Sequence, residues 1–166
     1  MEIVKNRYTI QGVDLVKMTG DFGTPVYVYD AERIKSQYEY LKGSFPGVDL
    51  KIKYAMKALN NISILKYMKK LGAGLDAVSI QEVELGLKAG FEPREIIFTP
   101  SSVAFDEIEM AIELGLTINI DNIAILEQFG HKFGNSRPVC LRLNPHIMAG
   151  GNAKISVGHT NVKSFG

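Results

Sequence analysis

The stretch IKYAMKALNN, residues 52–61, decides the fold because it joins a strand pattern to a lysine and then to a turn. Side chains of a strand point alternately to its two faces. The bulky apolar residues of this run share one face: Ile52, Tyr54 and Met56. Lys57 ends the run on the other face. The pattern leaves two interpretations open, a solvent-facing charge that ends a strand or the reactive amine of an active site.

Short apolar runs alternate with longer amphipathic ones along the chain, which predicts parallel strands joined by helices. Strands are predicted at 24–30, 49–58, 73–79, 95–99, 116–121 and 137–145. Helices are predicted at 31–45, 61–71, 80–90, 105–115 and 122–133. Asp30 precedes the first of these helices, and we expect its carboxylate to cap it.

The later strands also have one apolar and one mixed face. Ile118 and Ile120 alternate with Asn119 and Asp121, and Val139, Leu141 and Leu143 alternate with Cys140, Arg142 and Asn144. In a barrel the apolar face packs on outer helices, and polar groups collect inside at the C-terminal strand ends. Lys57, Asp121, Arg142 and Asn144 lie near such ends. The same register turns Lys51 and Lys53 inward, for which the pattern offers no reason.

The predicted architecture is an incomplete (β/α)8 barrel. Five βα-type strands follow from residue 51 onward, whereas a full barrel has eight strands and about 250 residues. The chain is therefore either an N-terminal piece of a longer protein or a smaller open α/β domain.

Composition excludes several classes of function. The formal charge is +1 and the 22% charged residues are mixed in sign, which argues against nucleic-acid binding. No apolar run approaches the roughly 18 residues that cross a bilayer. Cys140 is the lone cysteine and the N-terminus lacks a signal-peptide core, so we expect a cytoplasmic protein.

Four kinds of side chain are candidates for chemistry. A strand-end lysine is usually a surface charge, and a reactive Lys57 requires a desolvated amine, beside which Ala55 leaves room for a flat ring. Asp76, in GLDAVS, reads equally well as a turn cap. Arg142 stands between two leucines, which is unusual for a surface strand. His146 and His159 read as loop histidines, and no metal-binding pattern is present.

Four segments in order resemble the fold-type III pyridoxal-phosphate decarboxylases, the barrel enzymes related to alanine racemase. They are YAMKALNN, LGAGLDAVSIQEVELGLKAGF (71–91), IDNIAILEQF (120–129) and VCLRLNPHI (139–147). The resemblance runs from about residue 22 to the end. GTPVYVYD, RLNPHIMAGG and SVGHTNVKSFG bring the chain nearest to the diaminopimelate decarboxylases. Residues 99–102, TPSS, differ from the Gly-Asn-Asn-Lys type of segment in many members.

The resemblance implies a cofactor, pyridoxal 5'-phosphate, and three site residues. Lys57 matches the lysine that binds the cofactor covalently, Asp76 the aspartate beside cofactor and lysine, and Arg142 the arginine that approaches the ring. It also implies that residues 1–24 accompany a β-domain, that residues 25–166 form the N-terminal part of the cofactor-binding barrel, and that the parent protein is a homodimer.

As the resemblance implies, the parent enzyme removes the carboxylate from the D-configured end of meso-diaminopimelate, giving L-lysine and carbon dioxide. Four alternatives stay open: an ornithine or arginine decarboxylase, a carboxynorspermidine decarboxylase, a non-catalytic pyridoxal-phosphate-binding barrel, and a nonfunctional fragment or structural α/β module. We expect the 166-residue chain alone to lack decarboxylase activity, because an unclosed barrel lacks the other contacts to the cofactor ring.

Overall fold

The computed structural model of the protein describes residues 1–143. It divides the chain into two compact units, Met1–Ile52 and a second unit that starts at Lys53. The strands are β1 Glu2–Val4, β2 Arg7–Ile10, β3 Val13–Asp14, β4 Lys53–Ala55, β5 Gly74–Ala77, β6 Ile96–Phe98, β7 Thr117–Ile120 and β8 Cys140–Leu141. The helices are α1 Leu15–Phe22, α2 Ala31–Gly43, α3 Ile62–Leu71, α4 Ile80–Lys88, α5 Phe105–Glu113 and α6 Ile123–Phe133.

The first unit contains a small antiparallel sheet, in the order β1-β2-β3, and the helices α1 and α2. Asp14 caps α1 by accepting hydrogen bonds from the backbone N–H groups of Val16 and Lys17. Asp30 caps α2 by accepting from the Arg33 N–H, as predicted. The domain boundary that the resemblance places after residue 24 is a different division from this one and stays a prediction.

The predicted strand at 24–30 is wrong, because these residues form no strand in the structure. Pro25 lacks the N–H group that a sheet ladder needs. Tyr27 is 88% exposed, and Val26 and Val28 are also exposed, so the run has no buried face. The alternating apolar pattern therefore occurs here without the paired neighbour that makes a strand.

The second unit is built on a parallel sheet whose strands lie in the order β4-β5-β6-β7-β8. Each strand is hydrogen-bonded to the one that follows it in the chain, and a helix connects each pair. This unbroken order is that of a barrel wall, whereas a doubly wound sheet reverses direction at a switch point. The five strands predicted from residue 51 onward are therefore confirmed.

Local sequence signals begin and end the connecting helices. Asn61, Ser79 and Asn122 accept hydrogen bonds from backbone N–H groups in the first turns of α3, α4 and α6. Gly72 ends α3 in the left-handed conformation that favours glycine. The Ser79 hydroxyl, which accepts from the Glu82 N–H, is thereby used as a helix cap.

The hydrophobic core lies between the helices and one face of the parallel sheet. The strands contribute Leu75, Ala77, Ile96, Phe98, Ile118 and Ile120, and the helices contribute Leu65, Val83, Ile108, Ala111 and Phe129, all buried. Met56, directly after β4, is fully buried in the same cluster. Because helices cover only this face, the opposite face of the sheet carries the mixed side chains predicted to point into a barrel.

Glu95 ties the segment before β6 to α3. Its carboxylate accepts hydrogen bonds from the Glu92 N–H and from the Lys69 ammonium, both at 2.8 Å. The Glu92 N–H, and next the Lys69 hydrogen bond, lower the pKa of Glu95 below its ordinary value. No helix among residues 1–143 is long and apolar enough to span a membrane.

We predict that Glu95→Gln removes a pH-dependent part of the stability. A carboxylate with a depressed folded-state pKa stabilises fully above its unfolded value, near 4.5, and this stabilisation is lost as the pH falls through the folded-state pKa. The wild-type protein should therefore be the more stable at pH 7, with the difference shrinking below about pH 4.5. Urea unfolding across pH measures this, with the exposed Glu113→Gln as control; parallel pH curves for wild type and Glu95→Gln would contradict it.

We predict that Ile108→Ala lowers the free energy of unfolding by about 2–5 kcal/mol, because a buried isoleucine leaves a cavity. The matched control is Ile123→Ala, also in a helix of the second unit but 74% exposed, whereas Ile108 is 1% exposed. Urea unfolding of the two variants should differ clearly. Equal losses would mean that α5 does not pack on the sheet as the structure has it.

Candidate active site

A cavity of about 370 Å³ opens on the inward face of the parallel sheet. All of its lining residues belong to the second unit: Lys53, Lys57, Asp76, Val78, Ile97, Thr99, Asn119 and Arg142. The three predicted site residues, Lys57, Asp76 and Arg142, are therefore brought to one cavity. They come from three different stretches of the chain, and the parallel arrangement of β4 to β8 places them together.

Lys57 lies in a 3-10 turn, Met56–Ala58, directly after β4. The turn is held on both sides: the Met56 side chain is buried in the core, and the Tyr54 hydroxyl donates a hydrogen bond to the Leu59 carbonyl at 3.1 Å. These contacts fix the backbone that carries Lys57. The Lys57 side chain is exposed, so the described wall of the cavity does not itself provide the desolvation expected of a reactive lysine.

Asp76 is held near the centre of the sheet. Its Cα lies opposite Ala55 of β4 on one side and Ile97 of β6 on the other. The loop that follows is braced by Glu82, whose carboxylate accepts a hydrogen bond from the Val78 N–H at 2.9 Å. The half-buried Asp76 side chain therefore stands on rigid backbone.

Arg142 follows β8, where its backbone N–H donates a hydrogen bond to the Ile120 carbonyl at 2.8 Å. This bond extends the parallel pairing beyond Leu141, the last residue of β8, and places Arg142 at the C-terminal end of the sheet, where the register predicted it. The side chain is exposed, as are Leu141 and Leu143. The leucines on either side therefore do not bury this segment.

Two buried acceptors in the cavity lack hydrogen-bond partners. Asp76 Oδ1 and Asn119 Oδ1 are the buried side-chain atoms without a partner in the described part of the chain. An unpaired buried acceptor costs about 1–3 kcal/mol, so such atoms are rare outside functional sites. Two of them in one cavity make it a candidate ligand site.

Sequence reasoning did not select Lys53, Asn119 or Thr99 as site residues. The alternation of faces contained the signal for Asn119, which pairs with Cys140 across β7 and β8 and points inward as predicted. The inward lysine that the pattern could not explain is also placed: Lys53 Nζ donates a hydrogen bond to the Glu95 carbonyl at 2.8 Å.

Some predicted side chains are not part of this set. Asn144, His146 and His159 lie outside the described residues. Asp121 does not line the cavity, although it lies near the same edge of the sheet. Within residues 1–143, no three His, Cys, Asp or Glu side chains gather as a metal site requires.

Residues 31–166 match the family described as pyridoxal-dependent decarboxylase, pyridoxal binding domain. The chain belongs to this family. Among relatives of the decarboxylase family, it is 34% identical over 148 residues to the diaminopimelate decarboxylase of Methanothermobacter thermautotrophicus, covering 88% of this chain and 35% of that protein. It is 36% identical over 141 residues to that of Helicobacter pylori, covering 82% and 35%. The chain thus spans about a third of the length of these relatives.

Solved structures of the family share the fold. The diaminopimelate decarboxylase of Helicobacter pylori complexed with L-lysine matches with a TM-score of 0.78 and 32% identity, over 89% of this chain and 39% of that one. The lysine/ornithine decarboxylase of Vibrio vulnificus complexed with putrescine matches with a TM-score of 0.65 and 28% identity, over 76% and 34%. The predicted fold class, part of an alanine racemase-like barrel, is confirmed.

The cavity fits the family cofactor, pyridoxal phosphate, on two observations of this structure. Three cationic side chains, Lys53, Lys57 and Arg142, face one carboxylate, Asp76, which leaves an excess of positive charge for an anionic ligand. The buried acceptors Asp76 Oδ1 and Asn119 Oδ1 also have no hydrogen-bond donor among the described residues. A primary amine, an unpaired carboxylate and surplus positive charge are what a phosphorylated aldehyde with a protonated ring requires.

We predict that Asn119→Leu leaves the protein equally stable or stabilises it by about 1 kcal/mol, because it removes a buried acceptor that has no partner. The matched control is Asn122→Leu, which should destabilise by about 1 kcal/mol because Asn122 caps α6 through the Ile125 N–H. Urea unfolding of the cofactor-free protein measures both. Similar losses in the two variants would mean that Asn119 has a partner in the folded protein.

Proposed function

We propose that this chain carries the cofactor lysine of a pyridoxal-phosphate-dependent amino-acid decarboxylase that acts on meso-diaminopimelate. The observation that carries the proposal is the single cavity that brings Lys57 together with Asp76 and Arg142. In this proposal Lys57 is the catalytic residue, and all three residues contact the cofactor.

Each of the three side chains has a distinct role. Lys57, at the C-terminal end of β4, holds the cofactor through its amine, which is the only primary amine at that end of the cavity among the residues that line it. Asp76 accepts hydrogen bonds beside it with its unpaired Oδ1. Arg142 presents a planar guanidinium, with five N–H donors suited to a carboxylate or to the edge of a ring.

The bound cofactor would accept the electron pair that remains on the amino acid when its carboxylate leaves as carbon dioxide. The residues of this chain help to orient the substrate and take part in the transfer of a proton to it. Lys57, when its amine is not bonded to the cofactor, would be placed to take part in proton transfer to the carbon that lost its carboxylate. The excess positive charge of the cavity draws in the anionic ends of the amino acid.

The choice of substrate rests on overall similarity. The relatives at 33–36% identity bear the name diaminopimelate decarboxylase, and a solved structure that matches with a TM-score of 0.78 was determined with L-lysine bound. The lysine/ornithine decarboxylase of Vibrio vulnificus also shares the fold, with a TM-score of 0.65 and 28% identity, which makes ornithine-type substrates the second candidate.

Two further features of the protein belong to the proposal. On the resemblance to the family, we propose that the parent protein is a homodimer and that it is cytoplasmic. The exposed free thiol of Cys140 fits a reducing compartment. A small amino acid is the partner proposed for the cavity, since four of its eight lining residues are charged: Lys53, Lys57, Asp76 and Arg142.

We predict that Lys57→Arg abolishes covalent attachment of pyridoxal phosphate while the fold is retained, because arginine keeps the charge but offers no primary amine. After incubation with the cofactor and reduction with borohydride, mass spectrometry should place the label on Lys57 in the wild-type chain. The exposed Lys66→Arg, in α3, is the control and should leave the labelling of Lys57 unchanged.

Two outcomes of the same work would contradict the proposal. Equal labelling of the wild-type and Lys57→Arg chains would remove Lys57 from the cofactor role.

For the substrate, carbon dioxide release by a protein that contains this chain should be at least tenfold faster from meso-diaminopimelate than from ornithine or arginine, about 1.4 kcal/mol of discrimination. Faster release from ornithine would favour the second candidate.

A further inference from the structure

Two primary amines, Lys53 and Lys57, line the same cavity. Either could in principle react with an aldehyde, because both belong to the inward face of β4 and the turn after it. A site that binds an aldehyde cofactor at one position needs a reason why the second amine does not compete. The contacts of Lys53 supply one.

The Lys53 ammonium is tied to backbone. Its Nζ donates a hydrogen bond to the Glu95 carbonyl at 2.8 Å, across the width of β5. Glu95 is the last residue before β6, so the amine is held at the N-terminal end of the strands. Lys57 follows the C-terminal end of β4. The two amines are therefore held at opposite ends of one sheet face.

Gly74 makes the Lys53 contact possible. It is the residue of β5 that pairs with Lys53, and the lysine side chain passes directly over it. A Cβ atom built on Gly74 would collide with the Glu95 carbonyl oxygen and would lie 2.7 Å from both Cδ and Nζ of Lys53. Any side chain at position 74 would therefore force the Lys53 side chain or the Glu95 carbonyl to move, and either shift breaks the hydrogen bond between them.

We propose that Gly74 and the Glu95 carbonyl together keep the Lys53 amine hydrogen-bonded and unreactive, so that an aldehyde in this cavity condenses with Lys57 alone. We call this pair of groups the selectivity device. The inference deepens the proposed function and rests on it. In this proposal Lys53 never bonds to the cofactor, and Gly74 is the residue that decides which amine reacts.

The chemistry of the step gives the hydrogen bond its effect. An ammonium has three N–H donors and no lone pair, so it must first release a proton to water. The nitrogen lone pair then forms a bond to the aldehyde carbon, and the aldehyde oxygen leaves as water. Lys53 can lose its proton and form the imine only if it gives up its charge-assisted hydrogen bond to the Glu95 carbonyl. We expect this loss to slow the reaction of Lys53 with an aldehyde by about tenfold or more.

Reductive methylation tests the device without the cofactor. Formaldehyde condenses with an amine, and cyanoborohydride delivers the hydride that reduces the product to the methylated lysine, which mass spectrometry assigns to its residue. In the wild-type chain, Lys53 should react at least about tenfold more slowly than the exposed Lys57 and Lys66. Comparable rates at Lys53 and Lys57 would overturn the proposal, whatever the variants do.

The variant that releases Lys53 is Gly74→Ala, and its matched control is Gly130→Ala in α6, where an added Cβ meets nothing within 4 Å. Circular dichroism first establishes that each variant is folded. Gly74→Ala should raise the methylation rate of Lys53 by about tenfold, and Gly130→Ala should leave it unchanged. An unchanged rate at Lys53 in folded Gly74→Ala would overturn the role of Gly74.

Pyridoxal phosphate with borohydride then reads the choice of amine directly. In Lys57→Arg the label should be absent from Lys53, and in the double variant Gly74→Ala, Lys57→Arg it should appear there. Labelling of Lys53 in Lys57→Arg alone would overturn the proposal. If wild-type Lys57 takes no label, the proposed function fails by itself, and the methylation rates of Lys53 still decide whether the device exists.

Discussion

The parallel register of β4 to β8 is the constraint on which the rest of the second unit depends. Each strand pairs with the next in the chain. Along every strand, alternate side chains point to the same side of the sheet. One side carries the apolar residues that pack on α3 to α6. A shift of one residue in any strand would exchange its core residues for its cavity residues, and the burial of Leu75, Phe98 and Ile118 opposes such a shift.

The cavity combines a rigid frame with groups that are unsatisfied. The backbone around Lys57 is held by the buried Met56 and by the Tyr54 hydroxyl, and the loop after Asp76 is held by Glu82. Against this frame, Asp76 Oδ1 and Asn119 Oδ1 are buried without a partner, which lowers stability. A site prepared for a ligand has this character, since the ligand supplies the missing donors and the rigid backbone keeps the acceptors in place.

Glu95 links the core, the helices and the cavity. Its carboxylate binds α3 through Lys69, and its carbonyl accepts the hydrogen bond of Lys53. The absence of a side chain at Gly74 lets Lys53 reach it. One short segment before β6 therefore braces the outer layer and also holds an inward-facing charge in position.

Much of this protein was determined by its sequence alone. Side-chain alternation and helical spacing predicted the five parallel strands, the helices between them and the inward direction of Lys57 and Arg142, because these patterns are local. Motifs in a fixed order indicated the decarboxylase family. The strand predicted at 24–30 was wrong, because alternation does not reveal whether a partner strand is present.

Tertiary structure alone decided the rest. The grouping of Lys57, Asp76 and Arg142 in one cavity, the unpaired acceptor of Asn119 and the contact of Lys53 with the Glu95 carbonyl all join residues distant in the chain. The physical reason is that strand spacing and register set these distances. A sequence specifies which face a side chain takes, whereas only the packed sheet specifies which neighbour it meets there.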